Sequence, residues 1–512
     1  MDGSKRERCP SGNDRQTGQR PRAAEGDWAR AFGVAGALRP GGADDPGLLS
    51  PAQTALLIDS YELSMAASYF RRGMNEPVAF ELFVRSLPAG RQWLLAAGLG
   101  PALALVRAMR FGPAERAYLQ EQGFEGDFLA YLGSLRFSGQ VHAVPEGTVV
   151  FAGEPLLRVI APRIEAQLVE TILLNQINFQ TAIATKAARI VLAAGGGHPG
   201  AGARVMDFSP RRDHGVDAAM KAARASAIAG VAATSNLAAA LRYGLRPSGT
   251  MAHSYVLSFP TEEEAFVAFM RDFPANAIML VDTYDTLQGV ASAIAASRAT
   301  GIALKGIRLD SGDLLELSRA SRAMLDQAGM QAAIIIASGD LEEQQIARLV
   351  AAGAPIDLYG VGTELGVSRD APTVGGVYKL VAERVDGSWR GVRKRSVAKE
   401  TLPGVKQVLR RLREGTMQED LIVALEDVAA AAAELRGKHD DEVRPLLVPH
   451  VEAGRQLRHE QLEAMRERAC SSLGELPPEL RRIEPPGVRR RPYPVALGGS
   501  LAHAPGAAQR ER

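Results

Sequence analysis

Polar side chains recur just after short apolar segments in the middle of the chain, and their types suit phosphate chemistry. The stretch GTMAHSYVLSF at 249–259 carries a single histidine, His253, and IRLDSGD at 307–313 carries one arginine and two aspartates. Arginine binds phosphate or carboxylate groups well because its planar fork donates two parallel hydrogen bonds. Aspartates beside a phosphate suit Mg²⁺, which binds oxygen ligands and shares them with substrate phosphates. These residues therefore predict a site for an anionic, phosphorylated substrate.

Two glycine-containing turns support the same interpretation. ASGD spans 337–340 and YGVGT spans 359–363, and each follows an apolar run. Backbone N–H groups in such turns can bind phosphate. One turn alone often contains glycine only for packing, but two in successive units favour a phosphate site. The candidate residues in these turns are Ser338, Gly339, Gly360, Gly362 and Thr363.

Several of the other residues also have ordinary structural explanations. Either Asp310 or Asp313 could cap the following helix, because aspartate is a preferred N-cap residue. The adjacent Arg211 and Arg212 could grip a carboxylate or a diphosphate, or they could be a solvated pair at a helix start. Lys305 lies in a predicted strand and could form a Schiff base, which would indicate an aldolase-like enzyme instead. The sequence contains no histidine pair or cysteine cluster near these residues, so it does not predict a zinc site.

Alternating strands and helices must position these residues. Short apolar runs recur between residues 203 and 381, and helical spacing separates several of them. This alternation predicts a parallel sheet, and about eight units predict a closed α/β barrel, with an open doubly wound sheet as the alternative. Because barrels place their chemistry at the carboxyl ends of the strands, the polar residues would converge on one mouth. The runs are 203–208, 227–235, 245–253, 277–282, 302–310, 332–338, 356–363 and 376–381.

The composition changes along the chain and predicts five regions. Residues 1–50 are rich in Gly, Pro, Arg and Asp, and residues 475–512 are rich in Pro and Arg, so a disordered leader and a disordered tail are expected. Residues 51–163 predict an N-terminal α+β domain with β-hairpins. The α/β barrel occupies 164–400, and 401–474 is expected to be a partly helical segment that packs on the N-terminal domain.

The overall composition points away from several classes of protein. Hydrophobic residues make up 46% and charged residues 23%, which is ordinary for a soluble globular protein. The net charge of +2 gives no reason to expect a nucleic-acid partner. The chain lacks an apolar run of about 18 residues and the apolar core of a signal peptide, so neither a membrane partner nor secretion is expected. Two cysteines are too few for a disulfide framework, and a cytoplasmic protein is predicted.

Eight segments of the chain resemble the nicotinate phosphoribosyltransferase family, in the order that the family shows. Those with candidate site residues are DSYELSM, FSPRRDHG, GTMAHSYVLSF, IRLDSGD and YGVGTELG, and all eight together span roughly 53–412. The resemblance implies a type II phosphoribosyltransferase fold, in which an irregular α/β barrel accompanies a smaller N-terminal α+β domain. It also implies an ATP-dependent enzyme of NAD salvage that makes nicotinate mononucleotide from nicotinate and phosphoribosyl pyrophosphate.

The resemblance implies a role for each substrate-binding residue. Thr363 and its glycine turn would hold the ribose 5′-phosphate, while Arg308 and Thr250 would contact nicotinate. Tyr61 would stack on the pyridine ring from a neighbouring subunit, which implies a homodimer with shared active sites.

His253 also acquires a role from the resemblance, as the residue that ATP phosphorylates. A lone histidine at a predicted strand end is usually structural, but neutral imidazole is a competent nucleophile near pH 7 because its ordinary pKa is about 6.5. Asp310 and Asp313 are candidates for Mg²⁺ and ribose contacts. ATP and Mg²⁺ are therefore the expected cofactors.

One segment departs from the family pattern. Arg211 and Arg212 would bind anionic substrate groups, but Asp213 and His214 follow them where small or amide residues are expected. The nearest alternative function is a nicotinamide-specific enzyme of the same fold, although an arginine-rich pocket favours the nicotinate carboxylate. A relative that binds a nucleotide without turnover is the alternative from a different functional class.

Overall fold

The computed structural model describes residues 54–394, 401–437, 441–483 and 491–503. The leader predicted at 1–50 lies outside these residues. The described chain divides into two compact units. The parallel-sheet unit contains Lys186–Asp370 and 481–483, and the antiparallel-sheet unit contains 54–185, 371–480 and 491–503.

The antiparallel-sheet unit is built from two main sheets and several helices. Its helices are α1 Ser60–Arg71, α2 Leu99–Ala108, α3 Pro113–Glu121, α4 Gly126–Ser134, α5 Arg163–Leu168 and the start of α6 Glu170–Ala194. Its first strands are β1 Pro77–Val84, β2 Leu94–Leu95, β3 Gln140–Ala143, β4 Val149–Val150 and β5 Pro155–Pro162. Helix α6 begins in the antiparallel-sheet unit, and its residues from Lys186 onward belong to the parallel-sheet unit.

The parallel-sheet unit alternates strands with helices, as predicted. Its strands are β6 Val205–Asp207, β7 Ala233–Thr234, β8 Ile278–Leu280, β9 Gly306–Leu309, β10 Ile334–Ala337 and β11 Leu358–Val361. Its helices are α7 Val216–Ile228, α8 Leu237–Tyr243, α9 His253–Val256, α10 Glu262–Asp272, α11 Thr286–Thr300, α12 Leu314–Gln327, α13 Glu343–Ala351 and α14 Thr363–Gly366. The strands lie side by side in the order β7-β6-β11-β10-β9-β8, and all of their pairs are parallel.

The remaining elements complete the antiparallel-sheet unit. The strands are β12 Gly376–Val385, β13 Ser388–Gly391, β14 Lys406–Arg413, β15 Thr416–Ala424, β16 Glu442–Pro445, β17 Val448–Glu452, β18 Arg455–Gln456 and β19 Val495–Leu497. The helices are α15 Val428–Arg436, α16 Leu462–Gly474 and α17 Pro478–Arg481. The larger sheet has the order β13-β12-β1-β5-β3-β17-β18, and a four-stranded sheet has the order β16-β14-β15-β19.

The prediction of alternating units with a parallel sheet is confirmed, but two of the eight runs were assigned wrongly. The run 245–253 forms no strand, and only Pro247 makes a single bridge, to Thr234. A proline cannot donate to a ladder, which explains this failure. The run 376–381 lies in β12, which pairs antiparallel with β1 rather than with the parallel strands. An apolar run shows that a strand is buried but does not identify its neighbour.

The expectation of a disordered tail at 475–512 differs from the structure wherever residues are described. Strand β19 pairs in parallel with β15, and α17 precedes it. The ring of Tyr493 stacks on Phe151 with 3.8 Å between centroids, and its hydroxyl donates to Asp420 Oδ1 at 3.1 Å. One aromatic residue with a buried acceptor therefore orders a segment whose composition alone favoured disorder. Residues 484–490 and 504–512 lie outside the description.

Apolar burial is extensive in the antiparallel-sheet unit. Its main cluster includes Leu82, Leu103 and Leu157, all almost fully buried, together with Val408 and Leu446 from beyond residue 400. The regions predicted as an N-terminal domain and a C-terminal segment thus share one core. In the described ranges, every helix is too short or too polar to cross a membrane.

Candidate active site

The best-defined feature of the parallel-sheet unit is an arginine with an unused donor. Arg308 lies on β9, and its Nη1 donates to Thr250 Oγ1 at 2.8 Å. Its Nε is buried and has no hydrogen-bond partner among the described residues. Burial lowers the pKa of Arg308, and Arg211 adds to this effect, while Asp310 and Asp282 oppose it. A desolvated guanidinium with an unused N–H is a binding point for an anion.

His253 lies between a hydroxyl group and a carboxylate. Its Nδ1 is 3.2 Å from Thr283 Oγ1, and its Nε2 is 3.9 Å from Asp310 Oδ2. The expectation that His253 ends a strand is wrong, because it is the first residue of the short helix α9. The side chain is 42% exposed, so the ring is within reach of a substrate in solution.

Asp282 organises the polar residues that follow β8 and β9. Its Oδ2 accepts hydrogen bonds from Asp310 N at 3.1 Å and from Ser311 Oγ at 2.7 Å. Its Oδ1 is buried without a partner among the described residues. Asp282 follows an apolar run and is among the polar residues that the sequence predicts at the mouth, but no binding role was assigned to it. The unpartnered oxygen, which is the distinguishing signal, becomes visible only in three dimensions.

The two aspartates of IRLDSGD have different surroundings. Asp310 accepts a hydrogen bond from Ser338 Oγ and lies beside His253. Asp313 caps α12, and its Oδ1 accepts from Leu315 N at 3.0 Å and Glu316 N at 3.2 Å. The structural alternative, that one of the pair caps a helix, therefore describes Asp313.

The oxygen atoms near His253 fit a Mg²⁺ ion shared with a substrate. No group of three or more His, Cys, Asp or Glu side chains that could hold a metal occurs among the described residues. The unpartnered oxygen of Asp282 and the carboxylate of Asp310 are nevertheless hard oxygen ligands, and the two residues are joined by the hydrogen bond from Asp310 N to Asp282. Mg²⁺ is typically bound by one or two carboxylates and completed by water and substrate phosphates. Asp282 and Asp310 fit this pattern better than Asp313, whose Oδ1 is occupied by the helix cap.

The two glycine-containing segments lie at the carboxyl ends of the neighbouring strands β10 and β11. Gly339, after β10, has φ +87°, and a Cβ there would lie 1.8 Å from Asp310 O, so only glycine fits. At Gly360, on β11, a Cβ would lie 2.4 Å from the ring of Phe208. Gly362 then precedes α14, which Thr363 begins. The backbone is thus tightly packed in both segments, against Asp310 at Gly339 and against Phe208 at Gly360.

The segment after β6 contains the arginine pair. Arg211 and Arg212 are both exposed, whereas Asp213 turns inward and accepts a hydrogen bond from Ser209 Oγ at 3.1 Å. Burial, together with the nearby Asp207, raises the pKa of Asp213 to about 6. The two departures from the family pattern therefore differ: the aspartate packs into the fold and the following His214 is exposed.

Two other candidates lie in different surroundings. Tyr61 belongs to the antiparallel-sheet unit, where it is 50% exposed on α1. The side chain is still partly buried, and this burial raises the pKa of Tyr61, as do the charges of Glu170 and Glu62. Lys305 is exposed and precedes β9 rather than lying inside it. The structure provides none of the desolvation that activates a Schiff-base lysine.

Comparison with known proteins identifies the family of the chain. The nicotinate phosphoribosyltransferase N-terminal domain model matches residues 56–178, and the nicotinate phosphoribosyltransferase family model matches 203–424. The nicotinate phosphoribosyltransferase pncB2 of Mycobacterium tuberculosis is 46% identical over 454 residues, which cover 87% of this chain and 92% of that protein. The nicotinate phosphoribosyltransferase of Bacillus subtilis is 44% identical over 363 residues, covering 70% and 73%.

A solved structure gives the same result for the fold. The crystal structure of human nicotinic acid phosphoribosyltransferase superimposes with a TM-score of 0.71 at 28% identity, and the match covers 86% of this chain and 98% of that one. The mixed α/β fold, with an N-terminal domain and a parallel sheet, therefore agrees with the type II phosphoribosyltransferase fold that the resemblance implies. The chain belongs to the nicotinate phosphoribosyltransferase family.

Proposed function

We propose that the chain transfers the phosphoribosyl group of phosphoribosyl pyrophosphate to nicotinate, giving nicotinate mononucleotide and pyrophosphate. The main support for this proposal is the incomplete hydrogen bonding of Arg308. Its buried Nε lacks a partner among the described residues, while its Nη1 donates to Thr250. A carboxylate satisfies such a donor better than a neutral amide, because a charge-assisted hydrogen bond is roughly twice as strong. Nicotinate is therefore the preferred base, and nicotinamide is a poor substitute.

The glycine turns supply the second part of the substrate site. Thr363 and the backbone of Gly360–Gly362 hold the ribose 5′-phosphate, and Ser338 and Gly339 form the neighbouring turn. The exposed Arg211 and Arg212 bind the anionic diphosphate end of the donor. Positive charge develops at the ribose carbon as pyrophosphate leaves, so fixed binding of both anionic groups contributes most of the catalysis. Asp282 and Asp310 would hold Mg²⁺, which would supply positive charge to the leaving diphosphate.

His253 couples the reaction to ATP. A ring nitrogen forms a bond to the γ-phosphorus as the bond to the ADP oxygen breaks, and later attack by water releases phosphate and restores the imidazole. The half-exposed ring between Thr283 and Asp310 supports this role, since both neighbours can orient it. Phosphohistidine would add negative charge beside Asp310, and this charge would favour the binding of Mg²⁺ there. The use of ATP and phosphoribosyl pyrophosphate fits a cytoplasmic enzyme.

We also propose a homodimer in which Tyr61 of one subunit stacks on the nicotinate of the other. Large apolar side chains exposed in the parallel-sheet unit support an interface: Val216 is 74% exposed, Leu237 71% and Leu241 53%. Mixing Tyr61→Ala subunits with Arg308→Ala subunits tests the shared site. Random pairing makes half of the dimers mixed, each with one intact site, so about a quarter of wild-type activity should return. No recovery, with mixed dimers shown to form, would refute the shared site.

The function itself is tested by incubating the wild-type protein with phosphoribosyl pyrophosphate and labelled nicotinate or nicotinamide, with and without ATP. Labelled nicotinate mononucleotide should form, faster with ATP, and nicotinamide should react much more slowly. Equal use of nicotinamide would favour the amide-specific alternative. Binding of both substrates without product would show a nucleotide-binding protein instead.

A further inference from the structure

A buried lysine contacts helix α14 at Glu364. Lys186, on α6, has a fully buried side chain. Its Nζ lies 2.5 Å from Glu343 Oε2, 2.9 Å from Asp370 Oδ1 and 3.3 Å from Glu364 Oε2. One ammonium group thus contacts three carboxylates from three segments of the parallel-sheet unit.

Glu364 is the unusual member of this group because of its position. It follows Thr363 directly, so a carboxylate side chain stands beside the residue proposed to bind a doubly charged phosphate. Its side chain is only 12% exposed, which limits screening by solvent. Arg369 also approaches Glu364, at 3.4 Å, but its side chain is 66% exposed and its contribution is correspondingly weak. An uncompensated Glu364 would therefore oppose phosphate binding.

Lys186 remains charged in these surroundings. Burial alone would lower the pKa of Lys186, but the ion pairs with Glu343 and Asp370 outweigh burial and raise its pKa above the ordinary value. Glu343 has a second cation, since Arg189 Nε donates to its Oε1 at 2.9 Å. Arg189 thus shares the charge of Glu343, which leaves part of the Lys186 charge to balance Glu364 and Asp370.

The other side of α14 is fixed by close packing. A Cβ on Gly366 would lie 1.8 Å from Asp213 Oδ1 and 2.4 Å from Ser209 Cβ. The four residues of α14 are thus held at Gly366 by the segment after β6 and at Glu364 by Lys186. A turn fixed at both ends can present Thr363 and the preceding backbone in one geometry, which lowers the entropy cost of binding.

We propose that Lys186 is a positioning residue for phosphoribosyl pyrophosphate, which anchors the phosphate-binding turn through Glu364 and cancels the charge of that carboxylate. The inference rests on the proposed function, because the phosphate turn is part of it. Lys186 does not touch the substrate. Its effect should therefore appear in the affinity for phosphoribosyl pyrophosphate, with little change in the affinity for nicotinate.

The test measures binding of phosphoribosyl pyrophosphate with Mg²⁺ by calorimetry, together with KM for each substrate. Lys186→Met should weaken phosphoribosyl pyrophosphate binding about tenfold or more, while KM for nicotinate changes less than about twofold. The double variant Lys186→Met/Glu364→Gln should recover part of the affinity, because the charge beside Thr363 is gone although the contact that anchors the turn is not restored. Arg189→Met is the matched control: it removes a cation that pairs with Glu343 in the same cluster and leaves the Lys186–Glu364 pair in place, so its loss of affinity should be clearly smaller than that of Lys186→Met.

Three outcomes would overturn the inference: wild-type affinity in Lys186→Met, no recovery in the double variant, or an equal loss in Arg189→Met. If Lys186→Met does not fold, Glu364→Gln alone decides. It keeps Lys186, removes the opposing charge and leaves an amide oxygen that can still accept from Lys186 Nζ, so it should bind phosphoribosyl pyrophosphate at least as tightly as wild type, and weaker binding would contradict the inference. Failure of the wild-type protein to bind phosphoribosyl pyrophosphate would instead refute the proposed function.

Discussion

Two desolvated arginines in the two units are satisfied to very different extents. Arg410, in the antiparallel-sheet unit, is fully buried and makes a bidentate pair with Asp420, with Nη2 to Oδ2 at 2.5 Å and Nε to Oδ1 at 2.9 Å. Its Nη1 donates to Val149 O. Arg308, in the parallel-sheet unit, has Thr250 on Nη1 and no partner for Nε within the described chain. Arg410 finds its ion-pair and hydrogen-bond partners within the fold, whereas Arg308 has an N–H group left for an anion from outside the fold.

The pKa shifts of the two arginines show the same contrast. Burial lowers the pKa of both side chains, but in Arg410 the charge of Asp420 outweighs burial and the pKa is raised. In Arg308 burial prevails over Asp310 and Asp282, and the pKa is lowered. A paired buried charge mainly supports the fold, whereas an incompletely paired one is a sign of a functional site.

The largest expected effect is on stability, at Arg410. Arg410→Met leaves Asp420 buried without its cationic partner and should lower the free energy of unfolding by about 3–5 kcal/mol. Denaturant unfolding measures this change. Arg410→Met/Asp420→Asn should regain much of the loss, because the unpaired charge is removed. The folded fraction should keep its KM for nicotinate. A large rise in that KM would contradict the conclusion that Arg410 supports the fold and only Arg308 binds the substrate.

The corresponding change at Arg308 should affect the substrate and not the fold. Arg308→Ala removes the proposed partner of the nicotinate carboxylate and should lower kcat/KM for nicotinate by roughly a hundredfold, or about 3 kcal/mol. The preference for nicotinate over nicotinamide should narrow, and the unfolding midpoint should change little. If the preference is unchanged, the carboxylate is held elsewhere, with Arg211 and Arg212 as the first candidates.

A smaller effect is expected at His253, which modulates the reaction. His253→Ala should remove the acid-labile, base-stable phosphate that forms with ATP and Mg²⁺, and with it the stimulation by ATP, but slow ATP-independent transfer should remain. His214, which is exposed, provides the control, and His214→Ala should label normally. Normal labelling of His253→Ala would make the GTMAHSYVLSF segment a purely structural one.

The smallest effect is a pH dependence of stability in the antiparallel-sheet unit. Burial lowers the pKa of His142 to about 4, with further contributions from Arg158 and His450. An unfolded histidine has a pKa near 6.5, so the unfolded state binds the extra proton first and stability falls as pH drops from about 6.5 to about 4. Between pH 7 and 5.5 the loss from His142 should be at most about 1 kcal/mol. His142→Gln should flatten this dependence in denaturant unfolding, and an unchanged slope would contradict the assignment.

Two pairs of the polar residues that the sequence predicts at one mouth lie close together, although neither Thr250 nor His253 ends a strand. Arg308 and Thr250 lie 58 positions apart and form a hydrogen bond, and Asp310 lies close to His253. The sequence could not distinguish Asp310 from Asp313, because both fit a helix cap and only the local backbone decides which one accepts the N–H groups.

The remaining errors arise from contacts that are distant in sequence. Strand β12 has an apolar pattern that fits either sheet, and its pairing with β1 depends on a partner almost 300 positions earlier. The described part of the tail is ordered by Tyr493, whose acceptor Asp420 is 73 positions away. The unpartnered oxygen of Asp282 is likewise a property of the folded chain, since any aspartate looks the same in sequence.

The most direct test of the central claim is a crystal structure of the protein with nicotinate bound. We expect a carboxylate oxygen of nicotinate within about 2.7–3.2 Å of Arg308 Nε, with Thr250 still at Nη1. A carboxylate bound by Arg211 or Arg212, with Arg308 Nε still without a partner, would contradict it.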